Sequence, residues 1–144
     1  MDNLYKKTEK CLYRLNALKT RIENLKQQYA ERELEATGEG IDYSKDKLCQ
    51  TYKFNSTTEN IGMELAQIKM MIDILQSKVD IMERSLFILN QTERKIITMK
   101  YLDNEPWFKI AYEVKYNESH CRRIRVYAIE KLKVAIFGEG EEKN

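Results

Sequence analysis

Between residues 61 and 86 the apolar residues Ile61, Leu65, Ile68, Ile72, Leu75, Val79, Met82 and Leu86 recur at alternating intervals of four and three. Such a run specifies a long helix with one apolar seam. A shorter stripe of the same kind, Cys11, Leu15, Leu18, Ile22, Leu25 and Tyr29, marks a helix within residues 3–35. Met70 and Met71 flank the second seam and are read as gap-filling side chains, the usual use of a flexible thioether. An apolar face of this length does not stay in water, so each stripe requires a helical partner.

Residues 36–57 lack sustained periodicity and are expected to connect the two helices. Gly38 and Gly40 would end the first, and Ser56, Thr57 or Thr58 would cap the second. Connections between packed helices usually run about 2–8 residues, and this one is far longer. Either it contacts a partner through Tyr43, Tyr52 and Phe54, or it frees the helices to pair between chains. The loop length favours a dimer or higher oligomer over an intramolecular hairpin.

The last third of the chain reads as a different device. Asn90 precedes a helix from Gln91 to about Leu102 and stands three residues before Glu93, an arrangement akin to a capping box. Asp103-Asn104-Glu105-Pro106 stops that helix. A short helix from Pro106 to Val114 follows, with Trp107, Ile110, Ala111 and Val114 on one face. Lys115-Tyr116 form a turn, and Asn117 caps a helix whose inner face carries Cys121, Ile124, Ala128, Ile129 and Leu132. Its outer face carries Glu118, Ser119, Arg122, Arg123 and Val126. Ala111 is small where two such helices must cross closely, so the segment is read as a helix-turn-helix.

Charge is distributed to match. The chain carries a formal net charge of +2. Residues 1–89 hold fourteen basic and fourteen acidic side chains, residues 90–137 hold ten against six, and the terminal GEGEEKN is acidic. A neutral front and a basic back suit a nucleic-acid partner. The three cysteines, Cys11, Cys49 and Cys121, form no C-x-x-C pair, and the single histidine, His120, offers no convergent ligand set, so no metal or other cofactor is expected. Free thiols in a reducing cytoplasm are the simplest reading. The N-terminus has no apolar signal core, no run is long enough to cross a bilayer, and N-x-S/T sequences at Asn55, Asn90 and Asn117 are read as chance or cap chemistry. No nucleophile–base pair, phosphate loop or paired-carboxylate site emerges, so an enzyme is not expected.

The C-terminal segment resembles region 4 of the sigma-70 family, the part of bacterial sigma factors that reads the upstream promoter element. The pattern L-x-x-x-E-R-x-[VI]-[LI]-x-[LM]-[RK]-Y is met by Leu89, Glu93, Arg94, Ile96, Ile97, Met99, Lys100 and Tyr101. The pattern I-[GA]-x-x-[LFV]-x-[VIY]-[TSN] follows in Ile110, Ala111, Val114, Tyr116 and Asn117. Then R-x-I-R-x-x-A-[LI]-x-K-L is met by Arg122, Ile124, Arg125, Ala128, Ile129, Lys131 and Leu132. The departure is Lys115, where the family often has Gly; a non-Gly residue adopts a left-handed turn at modest cost. A helical N-terminal half, one such module and a short Gly/Glu tail resemble the layout of the RinA/ArpU group, small phage-encoded regulators of late genes.

The expected fold is all-α: a long N-terminal helical hairpin or coiled coil at 1–88, a helix-turn-helix at 89–137, and an acidic tail at 138–144. The expected function is sequence-specific binding of double-stranded DNA by a phage or prophage transcription regulator. A recognition helix inserts its N-terminal residues among base edges, here Glu118, Ser119, Arg122 and Arg123, with His120 at the border and the capping Asn117 also counted in the DNA-binding set. Lys109, Arg125, Lys131 and Lys133 are better placed for phosphates. Alternatives are a DNA-packaging adaptor like phage small terminase subunits, or a module that binds bacterial RNA polymerase.

Overall fold

The computed structural model describes the backbone of residues 2–37 and 47–138, and the side chains of these except 47–58. Among the described residues the chain is helical without strands, as the apolar periodicity requires. Helix α1 spans Asn3–Thr37, α2 Lys47–Leu86, α3 Gln91–Ile97, α4 Trp107–Val114 and α5 Glu118–Phe137, with a π-helical turn at Thr98–Leu102. No described helix is long and apolar enough to cross a membrane.

Helix α2 begins at Lys47, not at the caps expected at Ser56–Thr58. Residues 47–58 contain no Gly or Pro, and their Lys, Leu and Gln residues favour helix. Helix α2 therefore takes in much of the expected connection, which weakens loop length as a reason for pairing between chains. Gly38, Gly40, the contacts expected of Tyr43, Tyr52 and Phe54, the Cys49 thiol and most of the acidic tail lie outside the described residues and side chains.

Two compact units divide the described residues: 2–18 with 78–138, and 19–37 with 47–77. The expected boundary at 88/89 falls inside the first unit. In the second unit Ile22, Leu25 and Ile61 are buried, Leu65, Ile68, Ile72 and Leu75 are half-buried, and Arg32 Nε meets Glu64 Oε2 at 3.1 Å. Met70 and Met71 are 65% and 46% exposed, so they do not fill the seam as expected.

In the first unit the α1 seam runs through Tyr5, Thr8, Leu12 and Leu15, all buried, while Cys11 is only half-buried. Thr8 is tolerated there because its hydroxyl donates to the Leu4 carbonyl at 2.8 Å. This end of α1 is tied to the C-terminal helices. Tyr101 donates its hydroxyl to Glu9 at 2.9 Å, Asn16 Nδ2 donates to the Leu102 carbonyl at 3.0 Å, and the Tyr13 and Tyr101 rings meet edge to face at 4.8 Å. Burial, reinforced by the bond to Glu9, raises the Tyr101 pKa far above its ordinary value.

Arg94 fastens the joint between α2 and α3. Its Nε donates to the Leu86 carbonyl at 3.1 Å, and its Nη2 donates to those of Phe87 at 3.2 Å and Leu89 at 3.0 Å. Leu86 ends α2 and Phe87 and Leu89 follow it, so these carbonyls lie where the helical ladder has run out of donors. The π-helical turn then breaks the helix expected to reach Leu102: the Asp103 N–H bonds to the Thr98 carbonyl at 3.0 Å, a spacing of five residues. Its Tyr101 is buried, while Met99 and Lys100 are half-buried.

Candidate nucleic-acid interface

Local caps set the positions of α3, α4 and α5. Asn90 accepts the Glu93 N–H at 2.8 Å through Oδ1, and its side-chain amide donates back to the Glu93 carboxylate. The reciprocal arrangement thus runs through the Asn90 side chain instead of its backbone N–H. Pro106 caps α4, one position earlier than the first helical residue. Lys115 has φ 63 and ψ 35, the left-handed conformation that ends α4 despite the absence of glycine. Asn117 then accepts the His120 N–H at 2.7 Å and starts α5. These two residues turn the chain within three positions.

The helices close over a small core of Ile96, Ile110 and Cys121, against which Met99, Trp107, Ala111, Val114 and Ile124 pack. Ala128, Ile129 and Leu132 continue the buried face of α5. Burial pushes the Cys121 thiol pKa up, so this cysteine is held as a neutral core side chain. The outward face of α5 is left to Ser119, Arg122 and Arg123, which are exposed, with Glu118 and Val126 half-buried beside them.

The residues expected to meet DNA fall into three groups. Ser119, Arg122 and Arg123 lie on one open face; Arg122 makes a loose ion pair with Glu118 at 3.6 Å, one turn back. Among the described residues Arg123 has no carboxylate within salt-bridge distance. Asn117 and His120 border that face but are engaged locally, the first as a cap and the second edge-on against Tyr116 at 4.7 Å.

The third group is held by other contacts. Lys109 pairs with Glu105 at 3.0 Å, Lys131 donates to both carboxylate oxygens of Glu93 at 2.8 and 3.0 Å, and Lys133 meets Asp2 at 2.9 Å and Glu130 at 2.7 Å. The hydrogen bonds to Glu130 and then Asp2 raise the Lys133 pKa. Arg125 is half-buried, with its guanidinium over the Trp107 ring and its Nε buried without a hydrogen-bond partner. It lies close enough to the buried Tyr5 hydroxyl to oppose the upward pKa shift that burial imposes there. Lys109, Lys131 and Lys133 of the phosphate-facing set expected from the sequence are thus committed to carboxylates, whereas Lys100, which no motif spacing marks as a site residue, joins Arg125 at the Trp107 ring.

No group of three or more His, Cys, Asp or Glu side chains clusters among the described residues. The first unit presents a cationic flank on its final helix, open beside a tight turn. The chain belongs to the family described as "Protein of unknown function (DUF722)", whose model matches residues 4–134. No curated protein and no solved structure matches it.

Proposed function

We propose that the protein is a sequence-specific DNA-binding transcription regulator of phage or prophage type, using α4 and α5 as a sigma-region-4-like helix-turn-helix. The observation that carries this reading is the open face of Ser119, Arg122 and Arg123 on the first turns of α5, the part of a recognition helix that reaches base edges. The left-handed Lys115 and the Asn117 cap supply the short turn such a motif needs. Arg bonds guanine O6 and N7 bidentately, which discriminates against a wrong base by about 1–3 kcal/mol. The reading places the protein in the cytoplasm and gives it no catalytic role.

The long helices serve in this reading as a helical hairpin or coiled coil through which copies associate. Met63, Met70, Met71 and Ile74 of α2, 46–65% exposed, support a partner for that helix. A second reading, docking on bacterial RNA polymerase, is favoured by Phe108 and Tyr112, which lie one turn apart on α4 at 70% and 82% exposure. Selection of bound duplexes from a random pool tests the main reading. It predicts enrichment of one sequence element; a pool that stays random through successive rounds contradicts it, and polymerase recruitment without such enrichment favours the second.

A further inference from the structure

Three cations gather on one indole. Trp107 is the single tryptophan of the chain and the first residue of α4. Lys100 Nζ lies 4.9 Å from its ring centroid, the Arg125 guanidinium 5.2 Å and that of Arg122 5.6 Å. Any two of these charges therefore lie within about 11 Å of each other. The Debye length in 0.1 M salt is about 10 Å, so their mutual repulsion is only partly screened. The electron-rich indole face offsets some of that repulsion, as cation–π contacts do.

Little else offsets it. Glu118, 3.6 Å from Arg122, is the carboxylate this group meets. Among the described residues neither Lys100 nor Arg125 has a carboxylate within salt-bridge distance. Lys109, Lys131 and Lys133, by contrast, each have a carboxylate within 3.0 Å. A trio of donors that shares one loosely held carboxylate calls for an anion, and it adjoins the open face of α5 through Arg122, which belongs to both.

We propose that Lys100, Arg122 and Arg125, gathered on Trp107, form a seat for one backbone phosphate of duplex DNA. The proposal rests on the DNA-binding reading and deepens it by dividing the labour of two neighbouring arginines. Arg122 holds the phosphate, which fixes register without reading sequence, and Arg123 is left for the base edge. Lys100, brought in by the π-helical turn, is the third arm. Trp107 does not stack on a base; it positions the cations before DNA arrives.

The test uses the full chain and a random-sequence 20-base-pair duplex, with affinity measured across a salt series and Trp107 emission followed in the same titration. Each neutralised phosphate contributes about 0.9 to the slope of log K against log salt. Lys100→Gln, which leaves two of the three arms on the phosphate, is expected to weaken affinity for the random duplex several-fold at low salt, Lys100→Arg to retain it, and both to keep wild-type helix content. Lys100→Gln combined with Arg122→Gln is expected to lower the slope by up to about 0.9. Trp107 emission should change on adding the duplex and not on adding inorganic phosphate at millimolar concentration. Wild-type affinity in Lys100→Gln together with an unchanged slope in the double variant, with wild type binding normally, overturns the seat and leaves the DNA-binding reading standing. An emission change with inorganic phosphate but none with duplex overturns the assignment of DNA as the source. A wild-type protein that binds no duplex at low salt overturns both the seat and the reading beneath it.

Discussion

Lys131→Met is expected to lower the unfolding free energy by about 3 kcal/mol, seen as a lower urea midpoint at unchanged m-value. The reason is an asymmetry in one ion pair. Lys131 grips both oxygens of Glu93 at 2.8 and 3.0 Å, yet the lysine side chain is 51% exposed and the glutamate side chain only 8%. Removing the lysine leaves a buried carboxylate with the Asn90 amide as its remaining side-chain donor. Removing the charge from the buried side, as in Glu93→Gln, merely returns the lysine to water and costs less. The double variant should therefore recover most of the loss. A domain this size has about 5–15 kcal/mol in all, so the single variant is expected to be visibly fragile. A loss under about 1 kcal/mol would show that this pair does not hold α3 to α5.

Arg122→Ala combined with Arg123→Ala is expected to weaken binding to a pool-selected duplex by at least about 100-fold, with helix content and oligomeric state unchanged. One bidentate base contact alone is worth about 1–3 kcal/mol, and a lost phosphate contact adds to it. The single variants should separate the two contributions. Arg122→Ala weakens all duplexes alike, while Arg123→Ala relaxes preference at one base position. Arg123→Lys should behave as Arg123→Ala in specificity, because an ammonium keeps the charge but not the planar fork. Intact discrimination in the double variant would remove the reading face from the account.

Much of this arrangement is legible in the residues themselves. The second stripe marks α2 because every one of its members is apolar by type and is buried or half-buried in the structure. Asn90 and Asn117 are legible as caps because a short amide accepts a backbone N–H three residues on. Lys115 is legible as the left-handed residue only through the pattern around it. The α1 seam is less legible: Thr8 is polar by type, and its bond to the Leu4 carbonyl lets it sit in the core beside Tyr5 and Leu12. Periodicity also cannot say that the first turns of α1 join the C-terminal helices, since that contact is made by residues about ninety positions apart.

The candidate site shows the same division between local and distant information. Pairing of Lys109 with Glu105 and of Lys133 with Glu130 follows from helical spacing of four and three. Pairing of Lys131 with Glu93, thirty-eight positions away, does not. A count of basic residues therefore overstates the charge available to a phosphate backbone. The convergence of Lys100, Arg122 and Arg125 on Trp107 depends on a π-helical turn that no pattern in the residues announces.

The central claim is that the outer side of α5 lies against a duplex. The most direct measurement is a titration of isotopically labelled protein with a short duplex at low salt, followed by amide and indole resonances. Shifts concentrated in residues 117–126, at Lys100 and at the Trp107 indole are the predicted outcome. Shifts confined to α1, or a spectrum that does not respond to saturating duplex, would contradict it.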